Sequence, residues 1–384
     1  MLSTHKSNYV SMGVLMAMTF LKLVIDIPPT VMTLLSTGFL VYIGCLFSTK
    51  LCTYDKKTKE GIETMKSKDA WLFPVISSAV LFGLFLVFKY FNQDIVNVLF
   101  HVYFTLIGAY SISALINEKI CEKPQFKKFT EKNVFTIPKI YYLNPEPTPV
   151  NQLDIMTYCM GLVVGVVYFI HKNWILNNIL GMAFSIFGIE NLMLSEYKVG
   201  LILLSLLFFY DIFWVFFTPV MVSVAKNLKG PVKLMFPKHF NPVEVKDYNM
   251  IGLGDIVVPG VYVALMLRFD IYLYTKKGKD MKNFKFSFTD MKYFLITFIF
   301  YVLGIGVTLF VMIFFNHAQP ALLYLVPCTL LSSTITALAT GEFKELWAFN
   351  EEKLGKENED DEDEDEDDKK AKKETKEKDK KKTE

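Results

Sequence analysis

Among 384 residues there is one arginine, Arg268, five cysteines and five histidines. Lysine therefore supplies nearly all the positive charge, and clusters of guanidinium forks, the usual clamps for phosphate, are missing. The cysteines, at positions 45, 52, 121, 159 and 328, are odd in number and form no CxxC, and no histidine stands at a zinc-ligand spacing. No disulfide framework, metal site or cofactor is expected. Charged residues are only 21%, and many of them gather at the C-terminal end. A soluble globule with so little polarity could not cover its own surface, and the shortage of charge equally excludes disorder of the whole chain.

Apolar residues take the place of charge. The set AVILMFWYC makes up 52% of the chain, aromatics 15%, and 35 residues are Phe. Mean hydropathy is +0.32. Length alone would allow two or three soluble domains, but this composition makes the lipid bilayer the expected solvent. The net charge of +2 points to no nucleic-acid partner. Residues 351–384 hold −6 of it, which leaves +8 on residues 1–350.

Nine apolar runs are long enough to cross ~30 Å of hydrocarbon. They are 28–47, 70–90, 95–116, 153–171, 174–194, 199–218, 251–267, 293–315 and 320–340. The expected fold is all-α, a polytopic membrane protein of about nine helices. A further run, 9–21, is too short to span and reads as a signal-sequence core or a membrane-surface helix. The chain then divides into an N-terminal segment 1–27, a scaffold of five spans 28–194, a second group of four spans 195–343 and a charged tail 344–384. The tail from 357 onward has no apolar face to bury and is expected to be disordered. The segment 123–150, with five prolines, reads as an extended loop.

Nine crossings put the two termini on opposite sides. With the C-terminus cytosolic, 32 Lys and Arg fall on that side and 8 on the other, which satisfies the positive-inside rule. Five lysines in 219–249 run against it. Lys381-Lys382, third and fourth from the end, match a di-lysine address for the endoplasmic reticulum.

An aspartate at the centre of a membrane helix costs ~2.5–3.5 kcal/mol on insertion scales, so such residues direct attention to function. Asp211 sits in 206–217, a run with no other charge, and Asp255 sits in Gly252-Leu253-Gly254-Asp255. Asp211 lies ~12 Å from Pro219 and Asp255 ~9 Å from Asn249 at 1.5 Å per residue. The two runs are successive and antiparallel, so both carboxyls reach a similar depth below one face. Carboxyls in contact share one proton. One can then take a proton from water while the other polarises a carbonyl, which is aspartic-protease chemistry. HExxH and GxSG, the marks of metallo- and serine chemistry, do not occur. Gly252 and Gly254 remove side-chain bulk beside Asp255, or simply let helices pack. Gln319-Pro320-Ala321-Leu322 reads by itself as a helix start.

Tyr210-Asp211, the GLGD of 252–255 and Gln319-Pro320-Ala321-Leu322, in this order, resemble the three signatures of presenilin-type intramembrane aspartyl proteases. Further stretches bring the chain closer to the signal peptide peptidase branch: Lys68-Asp69-Ala70 with Phe73-Pro74, Trp174-Ile175 with Asn177-Asn178, Val224-Ala225-Lys226 and Leu267-Arg268-Phe269-Asp270. The resemblance covers roughly 28–343. It implies nine spans, a luminal N-terminus and a cytosolic C-terminus in the endoplasmic reticulum membrane. It also implies cleavage of transmembrane peptides, above all remnant signal peptides and other type II helices. By motif match, Asp211 and Asp255 are the catalytic pair, and Tyr210, Gly252, Leu253, Gly254 and Gln319 to Leu322 meet the substrate. Homo-oligomers and association with machinery that degrades membrane proteins are implied too. The run 9–21 and the acidic tail find no counterpart.

Two other classes stay open on the residues alone. Paired membrane aspartates also relay protons in transporters, which would call for charges along a path and inverted repeats. A non-catalytic adaptor for membrane-protein degradation would be indifferent to Asp→Asn at either site.

Overall fold

The computed structural model describes residues 25–49, 64–121, 133–137, 148–238, 247–279, 287–315 and 319–351, with isolated positions between 13 and 22 and at 129 and 284. The tail from 357, Lys381-Lys382 and most of the 9–21 run lie outside the described residues.

Among the described residues, nine long helices fall on the nine expected runs. They are α1 (Pro29–Ser48), α2 (Ser67–Tyr90), α3 (Gln93–Cys121), α4 (Gln152–His171), α5 (Trp174–Asn191), α6 (Tyr197–Phe216), α8 (Leu253–Lys276), α9 (Lys292–Phe315) and α10 (Leu322–Thr340). Two short helices, α7 (Val220–Asn227) and α11 (Phe343–Ala348), join them. Eight of the nine are long and apolar enough to cross a membrane. The ninth, α5, carries Asn177, Asn178, Glu190 and Asn191 in its 18 residues.

Local chemistry sets the ends. Asn151 and Asp154 form a capping box at the start of α4, with Asn151 N–H donating to Asp154 Oδ2 at 2.8 Å. Gly341, at φ 73°, takes the left-handed turn that stops α10. The seventh run departs from expectation. Its apolar stretch stops at 267, yet α8 continues to Lys276. Arg268 and Asp270 are not loop residues. Both are buried in the helix, 0% and 3% exposed, so Arg268 leaves the count of cytosolic charges.

Helix α8 is the axis of the bundle, packed on α1, α5, α6, α9 and α10. Elsewhere small residues decide the approach. A Cβ on Gly161 of α4 would meet Ala109 O of α3 at 2.4 Å, and one on Gly165 would meet Thr105 at 2.7 Å. This is the small-x-x-x-small contact of membrane helices.

Among the described residues, three two-stranded pairings complete the fold. Strand β1 (Thr64–Met65) runs parallel to β4 (Met193–Leu194). Strands β2 (Asn133–Ile137) and β3 (Thr148–Asn151) pair antiparallel at the ends of the proline-rich segment. Strands β5 (Lys233–Pro237) and β6 (Tyr248–Gly252) form an antiparallel ladder that delivers the chain directly into α8.

Candidate active site

Asp211 lies one and a half turns before the end of α6 and is 2% exposed. Tyr210 beside it is half-buried, its ring 6.4 Å from Trp214, whose indole N–H donates to Ser78 of α2 at 3.1 Å. Asp255 is in the first turn of α8, capped by Gly252. The fold sets α6 against α8. The two helices that carry the carboxyls the sequence places at one depth are therefore neighbours.

The third motif completes the group. Pro320 and Ala321 are buried in a turn whose carbonyls accept from Leu323 and Tyr324, so α10 begins at Leu322. The first N–H groups of any helix lack an intrahelical partner. Here the Leu322 N–H donates to Asp211 Oδ2 at 3.0 Å. Gln319 is half-buried just ahead of the turn. Read alone, these four residues mark a helix start, and they are that. What only the fold adds is the carboxylate at which the start is aimed.

Around Asp255 the glycines have distinct roles. A Cβ on Gly252 would sit 3.3 Å from Asp255 Oδ2, tighter than an ordinary contact, whereas Gly254 is exposed with open space beside it. Leu253 N–H donates to Val232 O at 3.0 Å, which ties the motif to the strand β5. Leu253 and Gly254 also line an apolar cavity with Phe73 of α2, Leu203 of α6 and Val257 and Val258 of α8.

The β5–β6 ladder has one finished edge and one open edge. The Asn178 side chain donates to Met235 O and accepts from Met235 N–H, both at 2.8 Å, and Asn177 donates to Lys233 O at 2.7 Å. Two buried asparagines of α5 thus take the place of a third strand beside β5. Their reach across the chain explains why polar residues interrupt α5, a signal present in the sequence whose structural use only the fold reveals. Backbone groups alternate along a strand, so Met250 and the Gly252 N–H must point away from β5. Among the described residues they meet no backbone partner.

A family model described as signal peptide peptidase matches residues 57–353. The chain is 41% identical to the mouse signal peptide peptidase over 323 residues, covering 81% of this chain and 80% of that one. Identity to the human signal peptide peptidase is 40% with the same coverage. A probable intramembrane protease of Schizosaccharomyces pombe is 32% identical over 317 residues, covering 83% and 92%.

Proposed function

The chain belongs to the signal peptide peptidase family of intramembrane proteases, and on that footing we propose that it is an aspartic endopeptidase with Asp211 and Asp255 as its catalytic pair. What supports this reading is that the packed helices α6 and α8 carry the two carboxyls, with the Leu322 N–H donating to Asp211 at 3.0 Å.

The chemistry needs only what the pair supplies. With one proton shared between them, the unprotonated carboxylate takes a proton from a water molecule as its oxygen attacks the scissile carbonyl carbon. The carboxylic acid gives its proton to the carbonyl oxygen, and a tetrahedral diol forms. The C–N bond then breaks as a proton passes to the leaving nitrogen, and one shared proton remains on the pair. Leu322 N–H holds Asp211 in register while charge moves.

The substrate class we propose is transmembrane helices of type II orientation, remnant signal peptides foremost, in the endoplasmic reticulum membrane, with the N-terminus luminal and the C-terminus cytosolic. A substrate helix hides its scissile carbonyl within its own hydrogen bonds, and lipid offers no other partners. Local unwinding is therefore required. The open edge of β6, ending at Gly252 three residues before Asp255, offers backbone groups to a freed strand. Tyr210, Leu253, Gly254 and the 319–322 turn surround the same point.

The test is purified full-length protein in detergent with a synthetic signal peptide. Cleavage is expected, with its loss in both Asp211→Asn and Asp255→Asn and inhibition by a hydroxyl isostere of the tetrahedral diol. Undiminished cleavage by either variant would sink the assignment.

A further inference from the structure

The five lysines of 219–249 break the charge rule and take no part in the chemistry above. One of them, Lys233, has an unusual position. It pairs in register with Gly252. Directly opposed residues of an antiparallel ladder project to the same face. The Cβ direction of Gly252 points at Asp255 Oδ2, so Lys233 starts on the face that carries the catalytic carboxyl. That face is open. Lys233, Met235, Tyr248 and Gly252 are half-buried and Met250 is exposed, while Leu234, Phe236, Asn249 and Ile251 on the other face are buried.

The Lys233 ammonium is half-buried and donates to Ala225 O at 3.0 Å, beside Lys226 in the last turn of α7. Among the described residues it has no ion-pair partner, and burial pushes its pKa below the ordinary lysine value. An ammonium with a single neutral acceptor has two further N–H donors to offer an anion.

We infer that Lys233, flanked by Lys226, binds the free α-carboxylate at the luminal end of a substrate that an earlier cut has shortened. This deepens the proposed function and depends on its sidedness. A type II segment enters with its C-terminal end toward the lumen, the side on which β5 and β6 lie. An uncut precursor continues there as chain, whereas a remnant ends in a carboxylate. A strand on the β6 edge rises ~3.3 Å per residue, so a terminus ~3–4 residues past the cut comes level with Lys233. The lysine then distinguishes trimmed from untrimmed segments by charge.

The experiment compares three synthetic signal peptides on the full-length protein in phospholipid-free detergent: the free acid, its C-terminal amide, and the same peptide extended by ten uncharged residues. For the wild type, KM is expected to be about tenfold lower for the acid than for the other two, with kcat little changed, as befits one charge-assisted bond. Lys233→Gln is expected to bring the acid-to-amide ratio to one, and Lys233→Arg to keep most of it. Equal KM for acid and amide in the wild type overturns the inference while leaving the protease reading intact, and needs no variant to fold. A full ratio retained in Lys233→Gln overturns it too. So does a Lys233→Gln defect that appears only with added anionic lipid and is the same for acid and amide, since the ammonium then serves a headgroup. No cleavage of any peptide would instead remove the protease reading itself, and this inference with it.

Discussion

The two ends of α8 treat buried charge in opposite ways. At one end Asp270 accepts from the N–H groups of Tyr293 and Phe294, at 3.2 and 2.8 Å, and so caps α9. Two residues away Arg268 donates to Glu351, which the chain returns to the bundle through Glu351 N–H on Ser195 O at 2.8 Å. At the other end Asp255, in the first turn, has no side-chain hydrogen bond or ion pair among the described residues. Two backbone N–H donors fix the geometry of Asp270, whereas a carboxyl without a hydrogen bond is left ready to exchange a proton; Arg268 and Glu351 lie between, since both Arg268 Nη atoms and Glu351 Oε2 are buried with no partner among the described residues. On the proposed function, the same residue type on the same helix is structural where partners converge on it and reactive where they are withheld.

Five substitutions sharpen or break this contrast. Asp255→Asn is expected to lower the cleavage rate by ~10⁴-fold or more, the upper range for a lost acid–base group, with the thermal midpoint in detergent unmoved. A large fall in the midpoint would place Asp255 with the structural charges. Arg268→Met strands Glu351 in the interior and should cost roughly 3 kcal/mol or more of stability. Adding Glu351→Leu should restore most of that loss. If the single variant unfolds at the same temperature as the wild type, the buried pair is not what ties the C-terminal segment down.

Smaller effects come from the edges of each cluster. Gly252→Ala puts a methyl 3.3 Å from Asp255 Oδ2. It should reduce kcat/KM about tenfold through displaced reacting groups, with little change in stability. Wild-type kinetics in this variant would mean the glycine serves packing only. Glu342 gives the weakest signal. Burial would lift its carboxyl, but bonds from Lys292 and Tyr293 and the charges of Lys292 and Lys277 outweigh that and hold it below its ordinary value of 4.5. Its stabilisation is therefore present above pH 4.5 and lost as pH falls through that value toward the folded pKa. Glu342→Gln should flatten this slope by less than ~1 kcal/mol, and an unchanged acid limb would contradict the pairing.

Much of the site was legible because its signals are local. Asp211 stands alone in an apolar run, Asp255 follows two glycines, and counting residues to the nearest loop gives their depth. The hairpin β5–β6 was not legible. Its residues, rich in lysine and proline, read as loop, and the asparagines that finish its edge lie 56 and 57 residues away in α5. The true end of α8 was hidden for a similar reason. Arg268 and Asp270 look like the exit from a membrane until Glu351 and the start of α9 supply their partners.

Helices α2 and α8 mark the boundary between what each level decides. Of the two, α2 is the more apolar, yet 6% of its span is buried against 83% for α8. Hydropathy fixed that both would enter the bilayer and roughly where each would begin and end. It could not fix which becomes the axis, because lipid and protein interior are equally apolar surroundings for Leu or Phe. That was decided by shape and by polar groups needing partners: Gly260 under Ile189, Tyr262 on Ser333, Arg268 on Glu351. Only when those contacts close does α8 sit where Asp255 can meet Asp211.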